Sequence, residues 1–168
     1  MKTKIILRTV IILTLLILNV GCDQISKSIV RQTIEYNERI GFVNDYVTLT
    51  KIENTGAFLS LGNDLPNALR IILLIALPVF VMTYGLFFLF TKTNLSKSTL
   101  IGISFVLGGG IGNMYDRIIY GSVTDFLHID FVIFQTGIFN MADVSIMVGM
   151  FLILMQSVRK RMGGELRT

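Results

Sequence analysis

The sequence predicts an all-α transmembrane bundle of four helices, with a small extracytoplasmic β-sheet between helices 1 and 2. Three observations lead to this fold. The chain is 52% hydrophobic and only 15% charged, which leaves too little polar surface to cover a water-soluble globule of 168 residues. Four apolar stretches are each long enough to cross a bilayer. A polar segment between the first two stretches alternates polar with apolar residues, as a half-buried strand does.

The four apolar stretches define the predicted spans. A spanning helix needs about 20 mainly apolar residues, because the hydrocarbon core is about 30 Å thick and each residue rises about 1.5 Å. The spans are predicted at roughly residues 5–21, 68–90, 99–115 and 138–158. Pro78 lies inside the second span, where neighbouring helices can satisfy the carbonyl that it frees, so it predicts a kink and not a boundary. We expect a single integral membrane domain, residues 1–168.

Lysine and arginine set the predicted orientation, because cytoplasmic loops carry the excess of these residues. They gather before the first span, in the short loop between spans two and three, and in the C-terminal tail, which all fall on one side. These residues are Lys2, Lys4, Arg8, Lys92, Lys97, Arg159, Lys160, Arg161 and Arg167. Both termini are therefore expected in the cytoplasm, with residues of roughly 22–67 and 117–137 on the other side.

The outer segment before the second span is the predicted place of the sheet. Residues 45–52 read Asp-Tyr-Val-Thr-Leu-Thr-Lys-Ile, which alternates polar with apolar and is rich in β-branched side chains. Nearer the first span, Asp23 and Lys27 stand four residues apart, a spacing that allows an ion pair on one helical face.

Composition argues against several classes of site. A single cysteine excludes a disulfide framework and a CxxC redox or zinc site. The net charge of +4 comes from short basic groups beside apolar runs and not from one continuous patch, so no nucleic-acid partner is expected. We expect neither a metal nor a cofactor.

Two acidic residues are candidates for chemistry. Asp143 lies about five residues inside the fourth span, which at 1.5 Å per residue is roughly 7 Å below the outer edge of the hydrocarbon. An acidic residue at the bilayer centre costs about 2.5 to 3.5 kcal/mol on insertion scales, so it signals function. Asp125 lies on the outer side between apolar neighbours. Two carboxyl groups in a poorly hydrated site share a proton, so one activates water while the other polarises a peptide carbonyl.

Polar residues on the third and fourth spans are predicted to face each other. Asn113, Asp116 and Arg117 share one helical face through their i, i+3 and i+4 spacing. Asn140 and Asp143, three residues apart, share a face on the fourth span.

Glycines on the third span favour a close helix crossing. Gly108 and Gly112 have the small-xxx-small spacing that lets a neighbouring helix approach.

Five motifs follow one another along the chain. They are Asp23-Gln24-Ile25-Ser26-Lys27, Asn54-Thr55-Gly56-Ala57-Phe58, Gly112-Asn113-Met114-Tyr115-Asp116-Arg117, Val123-Thr124-Asp125-Phe126 and Phe139-Asn140-Met141-Ala142-Asp143. Together they resemble the lipoprotein signal peptidase family, also called signal peptidase II, over nearly the whole chain. Thr124 stands where the family pattern has a second valine, and residues 127–137 match nothing in that pattern.

The resemblance implies an aspartyl protease that removes signal peptides from prolipoproteins carrying diacylglycerol, cutting just before the lipidated cysteine. Asp125 and Asp143 would be the catalytic dyad. The residues implied to bind substrate or orient the dyad are Asn54, Asn113, Arg117 and Asn140, and those implied to give structural support are Asp23, Lys27, Gly56 and Asp116. The outer sheet would cradle the substrate. Independently of the resemblance, the conformational freedom of Gly56 would let the loop after Asn54 move as a lid over the cleft.

The resemblance also implies a cellular setting. The enzyme would act as a monomer at the outer leaflet of a bacterial cytoplasmic (inner) membrane. Its partners would be lipidated prolipoproteins and membrane lipids, without metal or cofactor.

The residues alone leave other interpretations open. Asp143 could be a structural carboxylate paired with Arg117, and Asp125 an ordinary loop acid that caps a turn. Alternatively, Asp116, Arg117 and Asp143 could mark the ion path of a small transporter, although the polar residues cluster toward the outer ends of spans three and four.

Cys22 permits one more interpretation. The run Leu18-Asn19-Val20-Gly21-Cys22 after an apolar stretch resembles a lipoprotein signal peptide, so the chain could be a substrate and not the enzyme. Asn19 fits such a site poorly, and three further spans follow it. His128, the only histidine, is expected in a solvated loop without a catalytic role, and no base is placed near Cys22.

Overall fold

Four long helices carry most of the chain in the computed structural model, which describes residues 2–36, 38–56, 66–131 and 133–165. They are α1 (Lys2–Thr33), α2 (Asn67–Thr91), α3 (Lys97–Tyr120) and α4 (Met141–Glu165). Three strands, β1 (Arg39–Phe42), β2 (Val47–Asn54) and β3 (Val123–Ile129), form one antiparallel sheet in the order β1-β2-β3.

Three of these helices, α1, α2 and α4, are long and apolar enough to cross a membrane. Their large side chains face outward, as Phe80 and Phe87 on α2 do with exposed fractions of 70% and 65%. A lipid environment fits such continuous apolar surface better than water does. The predicted third span, 99–115, lies within α3, which is not among the three apolar helices and instead contacts all the other helices.

Glycines let α3 lie directly against its neighbours. A β-carbon at Gly108 would lie 2.6 Å from the β-carbon of Asn19, and one at Gly112 would lie 2.5 Å from Asp23 Oδ2, both on α1. A β-carbon at Gly109 would collide with the α4 backbone. The close approach that the small-xxx-small spacing predicts therefore occurs, and it brings polar residues of three helices together.

Helix α2 continues through Pro78, as predicted. A π-helical turn at Ile72–Ala76 precedes the proline, where the widened turn accommodates the missing N–H and the displaced carbonyl. At the end of α2, the Arg8 guanidinium of α1 donates to main-chain carbonyls that include those of Leu89 and Lys92. These carbonyls have no partner within the helix, which explains a basic residue in the first predicted span.

Helix α1 runs well past its predicted span and ends at Thr33. Val30, in its last turns, and Ile34 beyond its end pack against Phe126 of β3 in a buried apolar cluster. This cluster fixes the sheet to the end of α1.

The sheet joins two outer segments of the chain. β1 and β2 lie between the first two helices, as predicted, but β3 follows α3 and pairs with β2 from Val47 opposite Ile129 to Asn54 opposite Val123. The prediction of a sheet confined to the segment between helices 1 and 2 was therefore wrong in its extent. The first four residues of β3 are all buried, so this strand lacks the alternation of polar and apolar residues by which a half-buried strand is predicted.

Candidate active site

A buried ion pair lies where α1 approaches α3 and α4. Lys27 Nζ lies 2.8 Å from Asp23 Oδ2, and both side chains are fully buried, so the predicted pair is present. Asp23 Oδ1 also accepts a hydrogen bond from the main-chain N–H of Ala142 at 2.9 Å. Buried charges are tolerated only when paired and hydrogen-bonded, and these contacts tie α1 to the start of α4.

Asp116, fully buried on α3, is the second anionic partner of Lys27. Its Oδ2 lies 3.0 Å from Lys27 Nζ, and its Oδ1 lies 3.0 Å from Arg31 Nη2. Gln24 Nε2 donates to the same Oδ1 at 3.0 Å. Asp116 thus joins α3 to two cations of α1, a position that suits structural support.

Asn113 connects this ionic cluster to Asp143. Its Oδ1 accepts from Lys27 Nζ at 2.8 Å, and its Nδ2 donates to Asp143 Oδ1 at 2.9 Å. Because an ammonium group only donates, Lys27 fixes which end of the amide faces the carboxylate.

Asp143 lies in the first turn of α4. The helix begins at Met141 and not at residue 138, so the position of Asp143 five residues inside it was wrong. The Asn140 N–H donates to Asp143 Oδ2 at 3.1 Å, and the Asp143 N–H donates to Asn140 Oδ1 at 3.1 Å. The two side chains therefore form a reciprocal cap at the helix start. The prediction that they share one helical face was wrong, because Asn140 precedes the helix.

Asp125 approaches Asn140 from the sheet. It is 5% exposed, and its two oxygens accept from Asn140 Nδ2 at 2.6 Å and from Asn54 Nδ2 at 3.0 Å. Burial raises the pKa of Asp125 from 3.8 to about 6, although both hydrogen bonds oppose the rise, and the nearby negative charge of Asp143 adds to it. A carboxyl group tuned in this way can exchange a proton close to neutral pH.

Three asparagines turn an N–H toward the two carboxyl groups: Asn54, Asn113 and Asn140. Each amide oxygen is held by a group that only donates, as Asn54 Oδ1 is by the Gly56 N–H at 3.0 Å. The Lys27 ammonium and the Asp143 N–H hold the other two. The amide orientations follow from this chemistry, and all four carboxyl oxygens of the two acids accept an N–H bond.

Asn140 is thus the common neighbour of both predicted catalytic acids. It reaches Asp125 through its side chain and Asp143 through its main chain. The turn-capping interpretation of Asp125 fails, because this acid lies on a strand and accepts from two side-chain amides.

Arg117 borders the site on the α3 side. Its Nη2 donates to the Gly56 carbonyl at 2.7 Å, and its Nε is buried without a hydrogen-bond partner among the described residues. No ion pair joins Arg117 to Asp143 in the described part of the chain, so the interpretation of Asp143 as a carboxylate paired with Arg117 was wrong.

A cleft of about 200 Å³ opens beside Arg117. Its lining residues are Thr55, Arg70, Ile71, Leu74, Ile75, Arg117 and Gly121. Its lining thus combines three apolar residues of α2 with two arginines, Arg70 of α2 and Arg117 of α3. Ala57 and Phe58 of the second motif, and the loop predicted to move as a lid, lie outside the described residues.

Comparison with known proteins identifies the family. The model of the family described as signal peptidase (SPase) II matches residues 14–159. The chain belongs to this family. The lipoprotein signal peptidase of Streptococcus pneumoniae is 30% identical over 155 residues, covering 92% of this chain and 97% of that protein. That of Enterococcus faecalis is 37% identical over 134 residues, covering 80% and 79%.

A solved structure described as a bacterial membrane enzyme shares the fold. It has a TM-score of 0.79 and 21% identity, and the match covers 89% of this chain and 88% of that one. The resemblance to signal peptidase II is therefore confirmed, and the chain is a signal peptidase with membrane-spanning helices.

Several polar residues of this signal peptidase were missed by sequence analysis. Arg31 Nε donates to Thr124 Oγ1 at 2.8 Å, and the Thr124 hydroxyl donates to Glu53 Oε1 at 2.8 Å. Ser122 Oγ donates to Glu53 Oε2 at 2.5 Å. Because side chains alternate along a strand, these contacts hold β3 on the face opposite Asp125.

One signal would have found Arg31. Asp23, Lys27 and Arg31 recur every four residues and so share one face of a helix that continues beyond residue 30. The spacing was missed because the first span was predicted to end at residue 21, whereas α1 continues to Thr33.

Cys22 and His128 make no hydrogen bond to either predicted catalytic acid in the described part of the chain. Cys22 is an exposed free thiol within α1, and residues before it, such as Ile12 and Leu16, are buried in the helix core. His128 lies on β3 and not in a solvated loop, and its Nδ1 is buried without a partner among the described residues. Since it is three residues from Asp125 on a strand, it faces the opposite side of the sheet.

Proposed function

We propose that this family member is an intramembrane aspartic endopeptidase with Asp125 and Asp143 as its catalytic dyad. Its substrate is a diacylglyceryl-modified prolipoprotein, which it cuts just before the lipidated cysteine. The observation that carries the proposal is Asn140, whose side-chain amide lies 2.6 Å from Asp125 and whose main-chain amide lies 3.1 Å from Asp143. Both carboxyl groups are hydrogen-bonded to this one residue, and the charge of Asp143 contributes to the raised pKa of Asp125, which supports coupled titration of the two acids.

The dyad would work as an acid and a base. With one proton between them, the ionised carboxylate takes a proton from a water molecule while that water attacks the scissile carbonyl. The protonated partner donates a hydrogen bond to the carbonyl oxygen and stabilises the negative charge that develops there. The proton taken from water then passes to the leaving amine, so the peptide bond breaks with the dyad restored.

The surrounding residues would orient this pair. N–H groups from Asn54, Asn113 and Asn140 stabilise the ionised forms and hold each carboxyl plane. Arg117, with a buried Nε lacking a partner in the described part of the chain, has a donor free for a substrate carbonyl. The apolar wall of the cleft beside it, from Ile71 to Ile75, suits the lipid-modified end of the substrate.

The proposal includes a membrane arrangement. All four helices span a bacterial cytoplasmic membrane, α3 being enclosed by the other three, and both termini lie in the cytoplasm. The dyad then lies near the outer leaflet, where a signal peptide ends, and the sheet lies outside the membrane. The distribution of lysine and arginine supports this orientation, and one chain supplies every residue of the site.

The transporter alternative has less support. An ion path needs polar groups through the full thickness of the bundle. On the side away from the dyad, the helices pack through a buried apolar cluster of Ile12, Leu16, Leu89 and Leu107. The polar network therefore ends part-way along the bundle.

Cleavage of a lipidated prolipoprotein by the purified full chain, followed by gel shift, tests the proposal. Asp125→Asn and Asp143→Asn should each lower the cleavage rate by about 10²- to 10⁴-fold, the range for loss of a general acid or base. Asp45→Asn, the same change in the exposed turn between β1 and β2, should cleave at the wild-type rate. Near-normal cleavage by either dyad variant would remove that acid from the mechanism.

A chelator arm separates this mechanism from metal-dependent hydrolysis. We expect unchanged cleavage in EDTA, because the dyad carboxyl oxygens are already hydrogen-bonded to N–H groups. Strong inhibition that zinc reverses would contradict the aspartic mechanism.

A further inference from the structure

A second cavity lies at the end of the helices away from the dyad. It is a groove of about 450 Å³ between the start of α3 and the last turns of α4. Its lining residues are Ser98, Leu152, Met155, Gln156, Val158, Arg159 and Met162. Gln156 stands thirteen positions after Asp143 on the same helix, so the two levels are about 20 Å apart along the helix axis. The groove is therefore separate from the candidate active site.

The groove combines an apolar wall with polar groups that lack partners. Met155 and Met162 are 52% and 60% exposed within it. Ser98, Gln156 and Arg159 make no hydrogen bond or ion pair with any described residue. A site of this size with an apolar lining and a few convergent polar groups is typical of a ligand pocket.

Basic residues predominate at this end of the molecule. Lys97 begins α3, and Lys160 and Arg161 flank Arg159 on α4. None of the residues that line the groove is acidic, and no aspartate or glutamate occurs in residues 67–115 or 144–164, although Glu165 ends α4 three positions after Met162. The groove therefore complements an anion that carries an apolar chain.

We propose that this groove binds a phospholipid with an anionic headgroup in the leaflet opposite the dyad. The headgroup phosphate contacts Arg159 and accepts from Ser98 and Gln156, while an acyl chain lies along Leu152 and Met155. Basic pockets between transmembrane helices are known to hold such headgroups. Because the chain is a membrane protein, the anions with apolar tails that surround it are phospholipids of the bilayer.

Native mass spectrometry of the full chain in detergent tests the site. We expect the protein to retain phosphatidylglycerol in preference to phosphatidylcholine with the same acyl chains. Arg159→Gln should weaken apparent phosphatidylglycerol affinity roughly fivefold, the effect of one basic residue near an anionic lipid. Lys160→Gln makes the same charge change at a residue that does not line the groove, and should change the affinity less than about twofold.

Thermal unfolding with soluble ligands separates a lipid from a simple anion. Phosphatidylglycerol should raise the Tm more than either inorganic phosphate or glycerol phosphate, and Ser98→Ala combined with Gln156→Leu should reduce that rise. Equal retention of the two lipids, or equal losses in Arg159→Gln and Lys160→Gln, would overturn the proposal. An equal Tm rise with inorganic phosphate would overturn the lipid assignment and leave an adventitious anion only.

Discussion

Asn140 Nδ2 lies 2.6 Å from Asp125 Oδ1, and the same residue caps the helix that begins with Asp143 in its first turn. Asn140 thus both caps the start of α4 and links Asp125 of the sheet to Asp143 of the helix. Its cap and its amide donor are chemically separable, which makes their contributions measurable.

Asn140→Ala should damage stability and cleavage together. Loss of the cap costs about 1 kcal/mol, and loss of the amide leaves Asp125 without one of its two donors. Asn140→Ser keeps a capping oxygen but does not reach Asp125, so it should regain most of the Tm and not the cleavage rate. Denaturation in detergent and the gel-shift assay report the two effects. Full recovery of cleavage in Asn140→Ser would show that the amide contact is dispensable.

The raised pKa of Asp125 predicts that folding stability falls as pH rises. The pKa is 3.8 for the ordinary group and about 6 in the folded protein, so the unfolded chain releases this proton first and ionisation favours unfolding. The stabilising contribution is complete below pH 3.8 and is lost as the pH rises to about 6. This pKa difference corresponds to about 3 kcal/mol.

Asp125→Asn removes that dependence because an amide does not ionise. We expect this variant to lose most of its activity and to have a flatter profile of stability between about pH 4 and 7 than wild type. Asp45→Asn should retain the wild-type profile. The same dependence of stability on pH in wild type and Asp125→Asn would contradict the burial argument.

The Thr124 hydroxyl accepts a hydrogen bond from Arg31 and donates one to Glu53. Thr124→Val keeps the shape but leaves Arg31 Nε and Glu53 Oε1 without this partner, which should cost about 1 to 3 kcal/mol. Because β3 carries Asp125, cleavage should fall more in kcat than in KM. Thr124→Ser retains the hydroxyl and should remain close to wild type in both. Equal stability and equal cleavage rates in Thr124→Val and Thr124→Ser would show that these hydrogen bonds do not contribute.

Gly112 and Gly21 form a matched pair of helical glycines. A β-carbon at Gly112 would lie 2.5 Å from Asp23 Oδ2, whereas nothing lies within 4 Å of one at Gly21. Gly112→Ala should therefore lower stability by about 1 to 3 kcal/mol and impair cleavage by displacing the Asp23–Lys27 pair. Gly21→Ala should raise stability by up to about 1 kcal/mol through helix propensity. Equal Tm changes in the two variants would contradict the tight crossing of α1 and α3.

The sequence predicts the helices well because their signals are local. Runs of apolar residues determine α1, α2 and α4 almost independently of tertiary contacts. The alternation of residues 45–52 likewise predicts β2. The end of α1 is harder, since its last turns are polar and are held as helix by ion pairs with α3.

The candidate site needed tertiary information in two places. The motifs identified the predicted site residues. They did not show that Asn140 lies before α4, because two residues three positions apart can either share a helical face or form a cap at the helix start. β3 pairs with a strand far from it along the chain, and its buried start hides the period of two. The contact of Arg31 with Thr124 depends on that pairing, so no local pattern predicts it.

Helix α1 passes without a break through Gly21 and Cys22, the bond that resembles a lipoprotein cleavage point. Its backbone groups are engaged along the helix, and unwinding it would expose the charges of Asp23 and Lys27 that follow at once. If the proposed function holds, a protease that cuts before cysteine would in this way resist cutting its own first helix. Under the same proposal, α1 would remain in the folded protein although it resembles the segments that the activity removes from its substrates.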